Sequence, residues 1–192
     1  MKAIMKKENT TTNVRNEVIE TITGFCDSDI VSIIIPDGVI TIGDNAFEGC
    51  ESFKEITIPD SVTYIGDCAF YGCKSLEKIT IPDGVTVIED GTFAWCESIK
   101  EITIPDSVTY IGDCAFYGCK SLEKITIPDG VTVIEDGAFE RCRSLKEINI
   151  PNSVTEIGDS AFCGCESLKE IIIPDSVTVI GKNAFRGCGF LK

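Results

Sequence analysis

Residues 59–82 read PDSVTYIGDCAFYGCKSLEKITIP, and the interval between the two prolines that bracket this stretch decides the fold. Pro59 and Pro82 belong to the series 36, 59, 82, 105, 128, 151 and 174, which holds every proline of the chain at a step of 23 residues. A fixed internal period of this length marks a solenoid, in which each repeat forms one coil stacked on the next. The register from each proline is uniform. Valine recurs at 39, 62, 85, 108, 131, 154 and 177, and isoleucine at 42, 65, 88, 111, 134, 157 and 180. Phenylalanine follows at 47, 70, 93, 116, 139, 162 and 185, and cysteine at 50, 73, 96, 119, 142, 165 and 188. A large aliphatic or aromatic residue comes next at 53, 76, 99, 122, 145, 168 and 191, and the coil closes on Ile-x-Ile-Pro.

Stacking is an energetic necessity. Burying one such side chain contributes roughly 1.5–3 kcal/mol, whereas fixing each backbone residue costs about 1–2 kcal/mol. The two nearly cancel within a coil, so a single repeat does not fold alone. At a strand spacing of about 4.7–4.9 Å, seven coils over residues 30–192 extend roughly 33 Å. Leu76-Glu77-Lys78-Ile79-Thr80-Ile81 alternates and is rich in β-branched residues, so it reads as a short strand ended by Pro82. Pro-Asp-Gly or Pro-Asp-Ser then turns the chain, and Val85–Ile88 reads as a second extended segment. Asp67–Gly72 reads as one helical turn with Asp67 as its N-cap.

These segments, Ile65-Gly66-Asp67-Cys68-Ala69-Phe70-Tyr71-Gly72-Cys73 followed by Ser75-Leu76-Glu77-Lys78-Ile79-Thr80-Ile81-Pro82, resemble the BspA-type leucine-rich repeat family. The resemblance covers residues 30–192 and implies a mainly β, right-handed, curved repeat solenoid of short strands and helical turns. It implies that the Leu-x-x-Ile-x-Ile strands line a concave face, and that the module serves in adhesion or protein binding. It brings no catalytic residues with it.

The ends depart from the repeat. Residues 1–12 read as a disordered tail. Asn13–Ile22 has apolar residues at 14, 18, 19 and 22, which predicts a capping helix within 13–29. No apolar stretch of signal-peptide length follows Met1, and no apolar run approaches the ~20 residues of a membrane span. The expected location is the cytoplasm, with secretion only if an export signal has been removed. The chain stops at Lys192 before the strand of that coil is complete, so homo-oligomerisation through the C-terminal coil and truncation of a longer parent are both open.

Eleven cysteines and no histidine narrow the chemistry. One cysteine per coil in a single column is an odd set, and parallel Cβ vectors suit a disulfide poorly, so the column is expected to be free thiols filling the core. Without histidine or a Cys-x-x-Cys pair a zinc site is not expected, nor is a triad. Cys68 and Cys114 share a column with Asn45, Gly91, Gly137, Ser160 and Asn183, while Cys163 aligns with Glu48, Tyr71, Glu140 and Arg186. A redox role for these three would need a depressed thiol pKa. The Asp column at 44, 67, 90, 113, 136 and 159 is expected to cap turns rather than bind calcium. No cofactor and no enzymatic activity are expected.

Binding surfaces remain. On the predicted strands one outward column reads Lys54, Glu77, Lys100, Glu123, Lys146, Lys169. Its neighbour reads Glu55, Lys78, Glu101, Lys124, Glu147, Glu170, so opposite charges meet between coils through Lys146 and Glu147, and the pattern breaks at Lys169 and Glu170. Thr57, Thr80, Thr103, Thr126 and Asn149 form a third outward column. Tyr64 and Tyr110, with Tyr71, Trp95 and Tyr117 at variable positions nearby, offer aromatic anchors. Residues 59–81 and 105–127 are identical, however, so a duplication alone makes the tyrosines recur. The formal net charge of −14 argues against nucleic acid and anionic membrane as direct partners. The leading expectation is a non-catalytic scaffold that binds a partner protein through its concave strands. The alternatives are an acidic intracellular inhibitor or decoy of a basic, nucleic-acid-handling protein, and a cell-surface adhesin fragment.

Overall fold

The computed structural model describes residues 4–7, 10–13, 21–24 and 30–191. A parallel β-solenoid occupies the repeat region, and two ladders of strands run along it. The first holds β4 (Ile30–Ile34), β6 (Glu55–Thr57), β9 (Glu101–Ile102), β11 (Lys124–Thr126) and β13 (Glu147–Asn149). The coil between β6 and β9 joins this ladder through single parallel bridges, Glu55 with Lys78 and Thr80 with Thr103. The second ladder holds two-residue strands: β3 (Thr21–Ile22), β5 (Thr41–Ile42), β7 (Tyr64–Ile65), β8 (Val87–Ile88), β10 (Tyr110–Ile111), β12 (Val133–Ile134), β14 (Glu156–Ile157) and β15 (Val179–Ile180). Pairing in the repeats is one period apart, as in Ile125 opposite Ile148 and Ile134 opposite Ile157.

The columns read from the sequence are the core. Valine, isoleucine, phenylalanine, cysteine and leucine columns are buried from Val39 to Leu168. The phenylalanine rings stack coil upon coil, from Phe47 on Phe70 at 5.2 Å between centroids to Phe162 on Phe185 at 5.6 Å. Each such pair adds about 0.5–1.5 kcal/mol beyond burial. The cysteine column holds free thiols, and from Cys73 to Cys188 each donates its S–H to a carbonyl of the coil below: Cys73 to Phe47 O and Cys119 to Phe93 O, both at 3.1 Å. In one coil Thr92 stands where the others carry alanine. It is fully buried, and its hydroxyl donates to Glu89 O at 2.7 Å.

The segment before each cysteine is not a helical turn, because its backbone hydrogen bonds go to two destinations alternately. Asn45, Phe47 and Gly49 donate to the next coil, to Asp67 O, Ala69 O and Tyr71 O at 2.7–2.8 Å. The intervening Ala46, Glu48 and Cys50 close turns on Gly43, Asn45 and Phe47. This alternation holds two residues per coil at positive φ: the column Asn45, Cys68, Gly91, Cys114, Gly137, Ser160, Asn183, and the column Gly49, Gly72, Trp95, Gly118, Arg141, Gly164, Gly187. The recurring Asp therefore does not cap a helix. Its carboxylate accepts the backbone N–H one coil further on, Asp44 from Asp67 at 3.1 Å and Asp90 from Asp113 at 2.8 Å.

The capping helix expected within 13–29 is not supported. Asn13 ends β2 (Thr10–Asn13), which pairs antiparallel with β1 (Ile4–Lys7), and Thr21–Ile22 is β3, paired with β5. Residues 14–20 and 25–29 lie outside the described residues. Strand β1 also pairs antiparallel with β4, so strands stand where a tail was expected. At the other end residues 171–173 form no strand; Ile172 is 84% exposed and Val179 and Ile180 about half so.

Candidate interaction surfaces

The first ladder presents the charged and threonine columns to solvent. Glu55, Thr57, Lys78, Thr80, Glu101, Thr103, Lys124, Thr126 and Glu147 are all exposed, because the alternation that buries Ile56, Ile79, Ile102, Ile125 and Ile148 turns their neighbours outward. Lys124 lies opposite both Glu101 and Glu147 across the ladder, as the sequence columns require. In the flanking column Lys146 Nζ meets Glu123 Oε2 at 2.5 Å, and this bond holds the Glu123 carboxyl below its ordinary range. Glu77, Lys78, Ile79, Thr80, Lys100, Glu101, Thr103 and Glu123 line an open groove of about 450 Å³ in the middle of this face.

The aromatic candidates divide between two other places. Tyr64 and Tyr110 stand on β7 and β10, over a third exposed, beside Glu89, Glu135 and the Asp column. Burial and that negative field raise both phenols, and they raise the carboxyls of Glu89, Asp113 and Glu135 as well. Tyr71, Trp95 and Tyr117 lie instead on the turn ridge before the cysteines. Trp95 meets the edge of Tyr117 at 5.1 Å, Lys120 Nζ lies 5.2 Å over Trp95, and Arg141 lies 5.5 Å over Tyr117. The ridge also carries ion pairs one coil apart, Lys74 with Glu51 at 2.7 Å and Lys120 with Glu97 at 2.9 Å.

Sequence reasoning missed a second groove on this ridge, of about 530 Å³, lined by Glu140, Arg141, Arg143, Ser160, Cys163, Gly164, Glu166, Asn183 and Arg186. Its signal was available: apart from Arg15, these are all the arginines the chain has.

The thiols show no activation. Burial pushes Cys119 up to about 12 and Cys188 to about 11. Cys68, Cys114 and Cys163 are also raised, by burial first and then by nearby carboxylates, with Arg186 and Arg141 opposing at Cys163. Cys26 lies outside the described residues. Among the described residues no three cysteine, aspartate or glutamate side chains gather as a metal site, and no helix is long and apolar enough to cross a membrane.

Residues 21–142 and 86–192 match the sequence pattern of the BspA type leucine rich repeat region, in six copies. Among solved structures, the chain is similar to a leucine-rich repeat protein from T. pallidum at 35% identity and a TM-score of 0.79, over 84% of this chain and 78% of that one. A leucine-rich repeat protein from Bacteroides ovatus matches at 31% identity and a TM-score of 0.68, over 97% and 56%. A leucine rich cell surface protein from Faecalibacterium prausnitzii matches at 31% identity and a TM-score of 0.61, over 86% and 59%. The chain thus spans little more than half the length of the last two. No curated protein is similar to it.

Proposed function

The chain belongs to the BspA-type leucine-rich repeat family, and from that premise we propose that it is a non-catalytic scaffold that binds a partner protein through the first-ladder face, expected to be the concave one. The observation that carries this reading is the groove of about 450 Å³ on that face, lined by Lys78, Thr80, Glu101 and Thr103. Its backbone is held by parallel pairing and bridges, so binding there orders side chains and little main chain. Glu55, Thr57, Lys124, Thr126 and Glu147 extend the same surface to either side. Tyr64 and Tyr110 belong to a separate acidic face, which suits a basic partner.

Display at the cell surface is the second reading, favoured over the cytoplasmic one by the likeness to the F. prausnitzii cell surface protein. Protease accessibility on intact cells decides between them. The binding role is tested by capture from extracts of the native host, comparing the wild-type chain with a variant carrying Thr80→Arg, Glu101→Lys and Thr103→Arg. A protein retained by the wild type at high salt and lost by the variant supports the reading. Equal retention by both contradicts it.

A further inference from the structure

A molecule of net charge −14 concentrates three of its four arginines, Arg141, Arg143 and Arg186, around one notch. The notch exists because one coil contributes small residues, Cys163 and Gly164, where its neighbours carry Glu140 and Arg141 on one side and Arg186 on the other. Ser160 and Asn183 add hydroxyl and amide groups to the lining.

The guanidinium groups are only loosely engaged, Arg141 with Glu140 and the Tyr117 ring and Arg143 with Glu166. Arg141 lies 3.6 Å from Glu140 and Arg143 lies 3.5 Å from Glu166, both longer than the roughly 2.7–2.9 Å of a charge-assisted hydrogen bond. Arg186 has no ion pair among the described residues, and all three side chains are exposed. Arg141 is also held at φ 61°, at a position where five coils carry glycine. A left-handed φ strains any residue that carries a Cβ, so the fold does not call for this arginine.

We propose that this notch binds an acidic segment of a partner protein, with two or three clustered carboxylates seated on Arg141, Arg143 and Arg186. Two planar forks on one coil and a third two coils on, facing each other across the Cys163–Gly164 gap, can meet carboxylates in a bidentate manner. The extent of the patch selects a local peptide cluster over a long polyanion. Towards the N-terminus the ridge alternates in sign, Lys120 paired with Glu97 and Lys74 with Glu51, so a nucleic acid or acidic polysaccharide finds no continuous cationic track. This surface lies apart from the first-ladder groove, and neither proposal depends on the other.

The probe is N-acetylated hexaglutamate at 150 mM salt, followed through the arginine Nε–Hε signals by NMR. A chain with four arginines gives four such signals. Saturable shifts of three of them, with Arg15 unmoved, are expected. Arg141→Gly combined with Arg186→Gln should weaken binding at least tenfold, and Thr80→Arg with Thr103→Arg should leave it within twofold. Arg141→Gly installs the residue that five coils already have at this φ, so a melting temperature at or above wild type confirms that the fold is kept. Absence of saturation, unchanged affinity in the arginine variant, or tighter binding of a hexathymidylate at the same signals would each overturn the proposal.

Discussion

Gly118 and Gly49 occupy the same column at nearly the same φ, 71° and 70°, yet they should respond very differently to substitution by alanine. A Cβ built on Gly49 meets nothing within 4 Å, whereas one built on Gly118 falls 2.9 Å from Cε3 and 3.1 Å from Cδ2 of Trp95. The left-handed conformation costs an L-residue about 1–2 kcal/mol, offset by roughly 0.4–1 kcal/mol from the less flexible unfolded chain. Gly49→Ala should therefore lose about 0.5–1 kcal/mol. Gly118→Ala carries the same conformational loss and must also displace an indole wedged against Tyr117 and Lys120. Overpacking of that kind costs about 1–3 kcal/mol. A gap of about 2 kcal/mol separates the two variants, or roughly 4–8 °C in melting temperature for a chain of this size. Thermal unfolding followed by circular dichroism measures it. In a Trp95→Gly background the gap should close, since the clash and one strained side chain are removed together. Equal penalties at Gly49 and Gly118, or a gap that persists without Trp95, would refute the packing described for the ridge.

The phenylalanine stack should make the centre of the rod its most sensitive part. Phe116→Ala removes a buried ring held between Phe93 and Phe139 and should cost about 3–5 kcal/mol in urea unfolding. The acidic face gives a pH dependence of definite sign. Glu89, Asp113 and Glu135 have raised carboxyl pKa values, chiefly from burial and then from neighbouring carboxylates. Their folded forms bind protons more readily than the unfolded chain, so stability falls as pH rises through the folded pKa values. The melting temperature should rise on acidification from neutrality towards the ordinary carboxylate range near ~4, and Asp113→Asn should flatten that rise. Native-state labelling with a thiol reagent, read by mass spectrometry, should leave Cys73, Cys96, Cys119, Cys142 and Cys165 unmodified until the chain unfolds, with slow labelling at Cys114 and Cys163.

The period, the core columns and the opposed charges were legible in the sequence because a solenoid converts sequence spacing directly into spatial neighbours. Ile125 faces Ile148 for no other reason than the step between them. The turn ridge was misread because Asp67-Cys68-Ala69-Phe70 looks locally like a helix start. The competing demand comes from the next coil, which takes alternate N–H groups. Asn45, Gly91, Gly137 and Asn183 in one column were the trace of the left-handed φ that results, since these residue types tolerate it best. The apolar stripe at 14, 18, 19 and 22 spoke for a helix, but Ile22 pairs with Ile42 in the second ladder, a tertiary contact that a local stripe does not reveal. The arginine notch escaped notice because Arg143 and Arg186 are far apart in sequence, and the notch depends on the small residues of the coil between them.

The central claim is that the first-ladder face is where a partner protein docks. Hydrogen–deuterium exchange of the chain, free and bound to the protein it captures from its host, tests this most directly. Added protection confined to the strand segments 53–57, 76–80, 99–103, 122–126 and 145–149 is the result the account requires. Protection of the second ladder or the C-terminal coil, with the first ladder unchanged, would contradict it.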